Sequence, residues 1–167
     1  MHVNQPARGF TIIELLVVIV VLGILLLVAT NRFFGSQADA RDVDRKADVD
    51  TIARRLEIVF ADRLLGAASY PRTTDMAEGG TALTGIEPEA LRVPGVTNSQ
   101  TMSLTVATNA TATTTGVLPQ PTISQYVYQP LTAANALCNS SLVCVKFNLY
   151  YRAEASNTVI KIVSLNQ

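Results

Sequence analysis

The chain has 167 residues, enough for one domain with an anchor or a tail but too few for two full domains. Its 13 basic and 13 acidic side chains cancel to a formal net charge of zero, so the basic excess that is typical of nucleic-acid-binding proteins is missing. The single histidine is His2 and the two cysteines are Cys138 and Cys144, so a zinc site lacks ligands, and no metal or cofactor is predicted.

The N-terminal part of the sequence divides into a polar leader, residues 1–9, and an apolar segment, residues 10–30. Before its last residue, only Thr11, Glu14 and Gly23 interrupt the apolar run. As a helix the segment would measure about 31 Å, which matches the hydrocarbon thickness of a bilayer. The alternative is a buried helix in a soluble core, but a domain of this size cannot surround a helix that is apolar on every face. The segment is therefore predicted to span a membrane.

The helix is predicted to continue as an amphipathic helix over residues 31–66. One face repeats large apolar residues at a spacing of three and four. They are Val49, Ile52, Leu56, Val59, Phe60 and Leu64. Gly66 stands where a C-terminal cap is expected, and Gly23 and Gly35 are the positions where the helix is expected to loosen or bend.

The remaining positions of this helix are densely charged, with both signs mixed. Opposite charges recur at helical pair spacing, as between Asp42 and Lys46 and between Asp50 and Arg54. These pairs are expected to support a solvated face.

Residues 67–167 are predicted to form a globular head. Turn formers dominate its first part, with a short helix around residues 88–92, and residues 101–121 form a Thr-, Ala- and Asn-rich stretch that fits an edge strand and a loop. Three segments rich in β-branched and aromatic residues follow, at residues 126–131, 143–154 and 158–165.

The second of these segments alternates in a way that is typical of a half-buried strand. Val145, Phe147, Leu149 and Tyr151 alternate with Lys146, Asn148, Tyr150 and Arg152. Residues 154–157 have the length of a hairpin turn. The predicted fold class is α+β: a long N-terminal helix, transmembrane and then amphipathic, packed on a small antiparallel sheet of three or four strands.

Cys138 and Cys144 are separated by five residues. In an oxidising compartment, a disulfide that closes this short loop is predicted, and two reduced, half-buried thiols are the alternative. Asn109-Ala-Thr and Asn139-Ser-Ser fit the N-glycosylation pattern, which is common by chance.

The start of the chain carries an ordered motif. Arg8 and Gly9 precede the run FTIIELLVVI at residues 10–19, so a basic leader, Gly, Phe, Thr, an apolar pair and Glu occur in fixed order. This motif resembles the N-terminus of a type IV pilin or pseudopilin. The layout of the rest is similar too, with an amphipathic helix, a variable loop and a C-terminal sheet with a cysteine pair. The resemblance implies the pilin fold and a structural subunit of a type IV pilus or pilus-like filament.

The resemblance also implies how the precursor matures. A membrane-embedded prepilin peptidase cuts after Gly9 on the cytoplasmic face and methylates the new N-terminus at Phe10. Glu14, which is costly at membrane depth when unpaired, then pairs with the Phe10 amine of its own or of a neighbouring subunit and sets the register of assembly.

The partners implied by the resemblance are the peptidase/methyltransferase, other pilin subunits in a homo-oligomeric filament, an inner-membrane assembly platform, and membrane lipid before assembly. The implied location is a single pass through the plasma (inner) membrane with the head extracytoplasmic, followed by a surface filament. Two features depart from many pilins: the absence of proline between Phe10 and Ser69, and a very short cysteine loop that does not support an adhesive role.

Two other readings of the N-terminal segment remain open. A type II secretion pseudopilin is the first, although such proteins often carry acidic calcium-binding loops and Glu154 is the only acid after residue 142. A signal-anchored extracytoplasmic β-domain protein of unknown role is the second, and N-terminal sequencing of the mature chain separates it from a pilin.

An enzyme is a third class, and the sequence offers no catalytic residues for it. The head has no histidine, no Gly-rich phosphate loop and no nucleophile motif. DNA is a possible partner that the neutral charge does not indicate, although Arg54, Arg55 and Arg63 provide a local basic group. A solvated face or intersubunit ion pairs are the preferred reading of these arginines.

Overall fold

The computed structural model describes residues 9–76, 81–95, 102–139 and 143–166, with residues 29–34 and 81 described by their backbone alone. Within these ranges the secondary structure begins with one long helix, α1 (Ile12–Ala61). It is followed by the strands β1 (Leu104–Val106), β2 (Tyr126–Leu131), β3 (Lys146–Arg152) and β4 (Val159–Val163), with short 3₁₀ helices at Thr73–Asp75, Thr81–Leu83 and Pro88–Leu91. The predicted α+β fold class is confirmed.

The chain forms two compact units, Met1–Gln37 and Ala38–Gln167. The described part of the first unit consists of residues 9–11 and the first half of α1, which is unbroken at both Gly23 and Gly35. Within the described residues, no helix combines the length and the apolar character that crossing a membrane requires. The membrane span therefore stays a prediction.

The second unit contains a four-stranded sheet in the order β1-β2-β3-β4. β2 and β3 are antiparallel, as are β3 and β4. β1 instead lies parallel to β2, with Leu104 opposite Tyr126. The expectation of a purely antiparallel sheet is wrong at this edge, because residues 107–125 join β1 to β2 and are long enough for a crossover rather than a hairpin.

The sheet is covered on both faces within this unit. On one face, the helix residues Val49, Ile52 and Leu56 are fully buried in a core that includes Phe147 and Leu149. On the other face, the segment that joins β1 to β2, residues 107–125 and here called the Thr-rich connection, contributes to a smaller core. This core contains Ala107, Val117, Val127 and Tyr150. Strand β3, which was predicted to be half-buried, is therefore buried on both sides over residues 147–151.

The Thr-rich connection is held on the sheet by the fully buried side chain of Gln129. Its amide nitrogen donates to the carbonyl oxygens of Asn109 at 2.9 Å and Thr111 at 3.1 Å. Its amide oxygen accepts from Asn148 Nδ2 and from the Tyr150 hydroxyl, both at 2.9 Å. Because all the donor and acceptor positions of this amide are filled, its burial avoids the penalty of an unsatisfied polar group.

Helix α1 ends earlier than predicted, because the chain reverses at Arg63, whose φ of 53° lies in the left-handed region. Leu64 N donates to Val59 O at 3.1 Å, and Arg63 N donates to Phe60 O at 3.3 Å. These two bonds form a Schellman cap with Arg63 in the position that usually holds glycine. Gly66, the predicted cap, also has a positive φ, of 86°, but lies beyond the end of the helix.

The charged face of α1 pairs differently from the expectation. Asp42 pairs with Arg45 at 2.8 Å rather than with Lys46. Lys46 pairs with Asp50 at 2.8 Å, and Arg54 donates to a threonine hydroxyl instead of a carboxylate. The reason lies in the tertiary fold: the turn after β3 presents backbone amides to Asp42, so its carboxylate faces the sheet and not the solvent.

Candidate processing and assembly segment

The segment that holds the predicted processing and assembly residues begins with a capped helix end. Thr11 directly precedes the first helical residue, Ile12. Its Oγ1 accepts from Glu14 N at 3.2 Å, while Glu14 Oε2 accepts from Thr11 N at 3.4 Å and from Thr11 Oγ1 at 3.3 Å. Thr11 and Glu14 thus form a capping box, in which each side chain serves the backbone of the other residue.

Gly9 and Phe10, the predicted processing residues, lie ahead of the helix and are exposed, with Phe10 81% accessible. In the first turn of the helix, the Thr11 carbonyl oxygen accepts hydrogen bonds from Glu14 N at 3.1 Å and from Leu15 N at 3.2 Å. The peptide bond between Gly9 and Phe10 is therefore accessible and not helical. Among the described residues, Glu14 bonds to Thr11 and not to Phe10, so its pairing with a Phe10 amine stays a prediction.

The apolar side chains of the first half of α1 are exposed. From residue 12 to residue 28 the large ones are between 47% and 88% accessible. Exposed apolar surfaces of this extent mark contacts with a membrane or with other proteins, because single apolar side chains are common on a protein surface but contiguous patches are not. This segment is therefore a candidate interaction surface.

Cys138 and Cys144 form a disulfide, as predicted, and both residues are fully buried. Backbone hydrogen bonds connect them to the segment after α1: Tyr70 N donates to Cys144 O at 2.8 Å and Thr73 N donates to Cys138 O at 3.3 Å. The bridge therefore belongs to the core of the head.

Four charged residues at the junction of helix and sheet form a network, here called the Glu154 clasp: Arg41, Asp42, Arg45 and Glu154. Glu154 accepts from Arg41 Nε at 2.9 Å, from Arg41 Nη2 at 2.6 Å and from Arg45 Nη2 at 2.9 Å. Arg45 is only 2% accessible and donates in addition to Asp42 at 2.8 Å and to Ile123 O at 3.2 Å. The hydrogen bonds from Arg41 and Arg45 lower the pKa of Glu154 to about 2.

Asp42 completes the clasp from the helix side. Its carboxylate accepts from the backbone amides of Glu154 at 2.7 Å and Ala155 at 2.9 Å. Burial raises the pKa of Asp42, but these amides and Arg45 outweigh it, so the pKa is lowered. A sequence signal for the clasp exists, since Arg45 is four residues before Val49 and lies on the apolar face of the helix.

Asp48 and Tyr126 form a second helix–sheet contact, which sequence reasoning missed. The Tyr126 hydroxyl donates to Asp48 Oδ2 at 3.0 Å. Burial raises the pKa of Asp48 to about 6, the tyrosine bond lowers it in part, and the charges of Asp44 and Glu89 raise it further. The sequence contains no local signal for this contact, because the burial of Asp48 depends on where β2 packs.

The remaining candidate residues do not assemble into a chemical site. Asn109 uses its side-chain amide within the Thr-rich connection, donating to Gly116 O at 2.8 Å and accepting from Leu118 N at 2.9 Å, so its nitrogen already has a partner inside the head. In the basic group that was considered for DNA binding, Arg54 is exposed and Arg55 is partly buried. Among the described residues, no group of three or more His, Cys, Asp or Glu side chains is placed to hold a metal ion.

A long helix with an exposed apolar first half, followed by a four-stranded and mostly antiparallel sheet, is the architecture of a pilin-like protein. The family model of the prokaryotic N-terminal methylation motif matches residues 4–30. The chain is 36% identical over 109 residues to the Type IV narrow pilus major component PilA5 of Thermus thermophilus, a match that covers 65% of this chain and 84% of that protein. The chain belongs to the type IV pilin family. No solved structure matches it.

Proposed function

We propose that the chain is a structural subunit of a type IV pilus or a pilus-like filament. It is made as a precursor whose leader, residues 1–9, is removed by a prepilin peptidase after Gly9, with methylation at Phe10. Residues 10–30 anchor it in the plasma (inner) membrane as a single span, with the head, residues 67–167, on the extracytoplasmic side. An assembly platform in that membrane then adds the subunit to a filament through its N-terminal helix.

The exposed apolar surface of α1 over residues 12–28 is the observation that carries this proposal. Exposure of such a surface to water is unfavourable, and both environments in the proposed life cycle, lipid before assembly and neighbouring helices after it, remove it from water. The matches to the methylation motif and to a pilus component support the same sequence of events. Residues 31–66 are the amphipathic half that leads from this surface to the head.

Glu14 is the residue that we assign to assembly. Before processing, the capping box gives its carboxylate hydrogen-bond donors on its own chain. Processing would create a cation at the Phe10 amine, and a carboxylate–amine pair between subunits would offset part of the cost of a charge among apolar helices. Because only one alignment of neighbouring helices brings the two charges together, the pair would also fix the register.

The test is intact mass and N-terminal peptide mapping of the protein from its native membrane and from sheared surface material. The expected mature chain starts at Phe10 and carries one added methyl group. An intact Met1, or a cut beyond residue 29, would contradict the proposal and leave the signal-anchored alternative.

The same fractions test the assembly residue. Glu14→Gln removes the charge and retains the shape, so we expect normal membrane levels and loss of the sheared filament. The control is Glu89→Gln, the same change at a side chain that is 86% accessible, which is expected to assemble normally. Filaments at the wild-type level from Glu14→Gln would exclude the assembly role.

A further inference from the structure

Helix α1 starts just beyond the bond that the proposed peptidase cuts. Gly9 and Phe10 are outside the helix, Thr11 is the N-cap and Ile12 is the first helical residue. Two groups of Thr11 cap the helix: its Oγ1 accepts from Glu14 N at 3.2 Å and its carbonyl oxygen accepts from the same N–H at 3.1 Å. The hydroxyl is the part of this cap that a substitution can remove, so the position of the helix start relative to the scissile bond depends in part on one hydroxyl group.

The apolar segment itself favours a longer helix. The first N–H groups of a helix lack partners inside it, and an unpaired N–H is costly next to hydrocarbon. If α1 were one turn longer, Ile13 N and Glu14 N would donate to the carbonyls of Gly9 and Phe10. The Gly9 carbonyl is the group that peptide hydrolysis attacks, so this extension would draw the scissile bond into the helix.

We propose that Thr11 is a substrate-side positioning residue for processing: by capping α1, it keeps the bond between Gly9 and Phe10 outside the helix, where a peptidase can bind it. The inference rests on the proposed function. In the reaction, water adds to the Gly9 carbonyl carbon and the bond to Phe10 N breaks, which leaves a Gly9 carboxylate and a Phe10 amine. The attack requires a Gly9 carbonyl that is not a helix acceptor, which the cap provides.

The Thr11 hydroxyl takes part in two of the three side-chain contacts of this cap. It accepts from Glu14 N at 3.2 Å and donates to Glu14 Oε2 at 3.3 Å, and Thr11 N donates to the same carboxylate oxygen at 3.4 Å. A glutamine also completes a capping box. The processing role of Thr11 and the assembly role of Glu14 therefore have separate readouts, the cleavage rate of the precursor and the yield of sheared filament.

The experiment measures initial cleavage rates of the full-length precursor in detergent by a purified prepilin peptidase. Thr11→Val is nearly isosteric but has no hydroxyl to cap the helix. We expect its cleavage rate to fall about fivefold, because the loss of an N-cap changes the equilibrium constant for forming that helix end by about this factor. Thr11→Ser and Thr11→Asn both cap well, and we expect rates within about twofold of wild type. A carbonyl-¹³C label at Gly9 reports in the same samples whether the residue has become helical.

Each outcome discriminates. The inference is supported if Thr11→Val is cleaved slowly, Thr11→Ser and Thr11→Asn are cleaved at rates close to wild type, and the Gly9 carbonyl has a helical chemical shift in the valine variant alone. A Thr11→Val rate equal to wild type overturns it and leaves the proposed function intact. A Thr11→Asn rate as low as that of Thr11→Val also overturns it, because the enzyme would then read the hydroxyl directly. A wild-type chain that is not cut after Gly9 removes the proposed function and the inference with it.

Discussion

At the scale of single residues, two carboxylates of the head respond to their surroundings in opposite directions. Glu154 accepts from two guanidinium groups, and its pKa is lowered to about 2. Asp48 is partly buried beside a tyrosine hydroxyl and near two other acids, and its pKa is raised to about 6. At neutral pH the ionised Glu154 therefore stabilises the fold, whereas the ionised Asp48 opposes it.

This contrast predicts a specific pH dependence for Asp48→Asn. Between its ordinary pKa of 3.8 and its folded value of about 6, Asp48 keeps its proton only in the folded chain, so its contribution to stability is present below pH 3.8 and is lost as the pH rises through 6. Asparagine stays neutral and still accepts from Tyr126. Thermal unfolding in detergent, followed by the tyrosine signal, is expected to show a Tm roughly 2–6 °C above wild type at pH 7 and a much smaller difference at pH 4.

Asp44→Asn, at an exposed position one turn away, removes one of the charges that raise the pKa of Asp48 and leaves the contact with Tyr126 in place, so it is expected to raise the Tm at pH 7 by less than Asp48→Asn does. A shift for Asp48→Asn that is the same at pH 4 and pH 7 would show that the substitution acts through packing and not through charge.

How far single residues could be predicted depended on the range of their contacts. Gly9, Phe10 and Glu14 stand in a contiguous motif, and the Thr11 cap follows a local pattern, threonine with glutamate three residues later. Glu154 meets its arginine partners across more than a hundred residues. The position of Arg45 on the apolar face of α1 marks a buried arginine, but nothing local marks Glu154 as its partner, so the pairing became visible only with the fold.

At the scale of elements, local patterns located the strands, and long-range pairing decided the rest. β2 was predicted with its observed bounds, because its β-branched and aromatic residues end at turn formers on both sides. The parallel direction of β1 and the burial of both faces of β3 depend on the path of the Thr-rich connection, which carries no periodic signal. The end of α1 was misplaced because the left-handed residue is an arginine, a type that rarely adopts this conformation.

The arginine in the Schellman cap gives the prediction at this scale. Arg63→Gly relieves a left-handed backbone that costs a residue with a Cβ about 1 kcal/mol, so the Tm of the head is expected to rise by about 2–5 °C. The matched control is Arg54→Gly, an exposed position inside α1, where the same change is expected to lower the Tm by a similar amount. A fall in Tm for both variants would show that the Arg63 side chain matters more than its backbone conformation.

At the scale of the whole molecule, tertiary burial is concentrated in the second unit. All five tyrosines are buried there, at 3% accessibility or less. The apolar side chains of residues 12–28, in contrast, are exposed and would be covered by detergent or lipid. In a micelle the helix in that segment keeps its backbone hydrogen bonds because the apolar surroundings offer no others. The chain is therefore expected to unfold in two steps rather than as one cooperative unit.

Glu154→Gln tests this expectation. The substitution leaves the buried Arg45 without its full set of charged partners. The near-ultraviolet tyrosine signal is therefore expected to be lost at a temperature about 4–8 °C lower than in wild type. The control is Glu89→Gln, at an exposed and weakly paired position, which is expected to leave this temperature unchanged. Residues 12–28 make up roughly a third of α1, so about that share of its helical ellipticity should persist above this transition. The share should be the same in wild type and Glu154→Gln, because the clasp has no residue in that segment. If helical and tyrosine signals were instead lost together, and shifted together in Glu154→Gln, the folding of the apolar segment would depend on the head, and the subunit could not keep a stable anchor while its head unfolds.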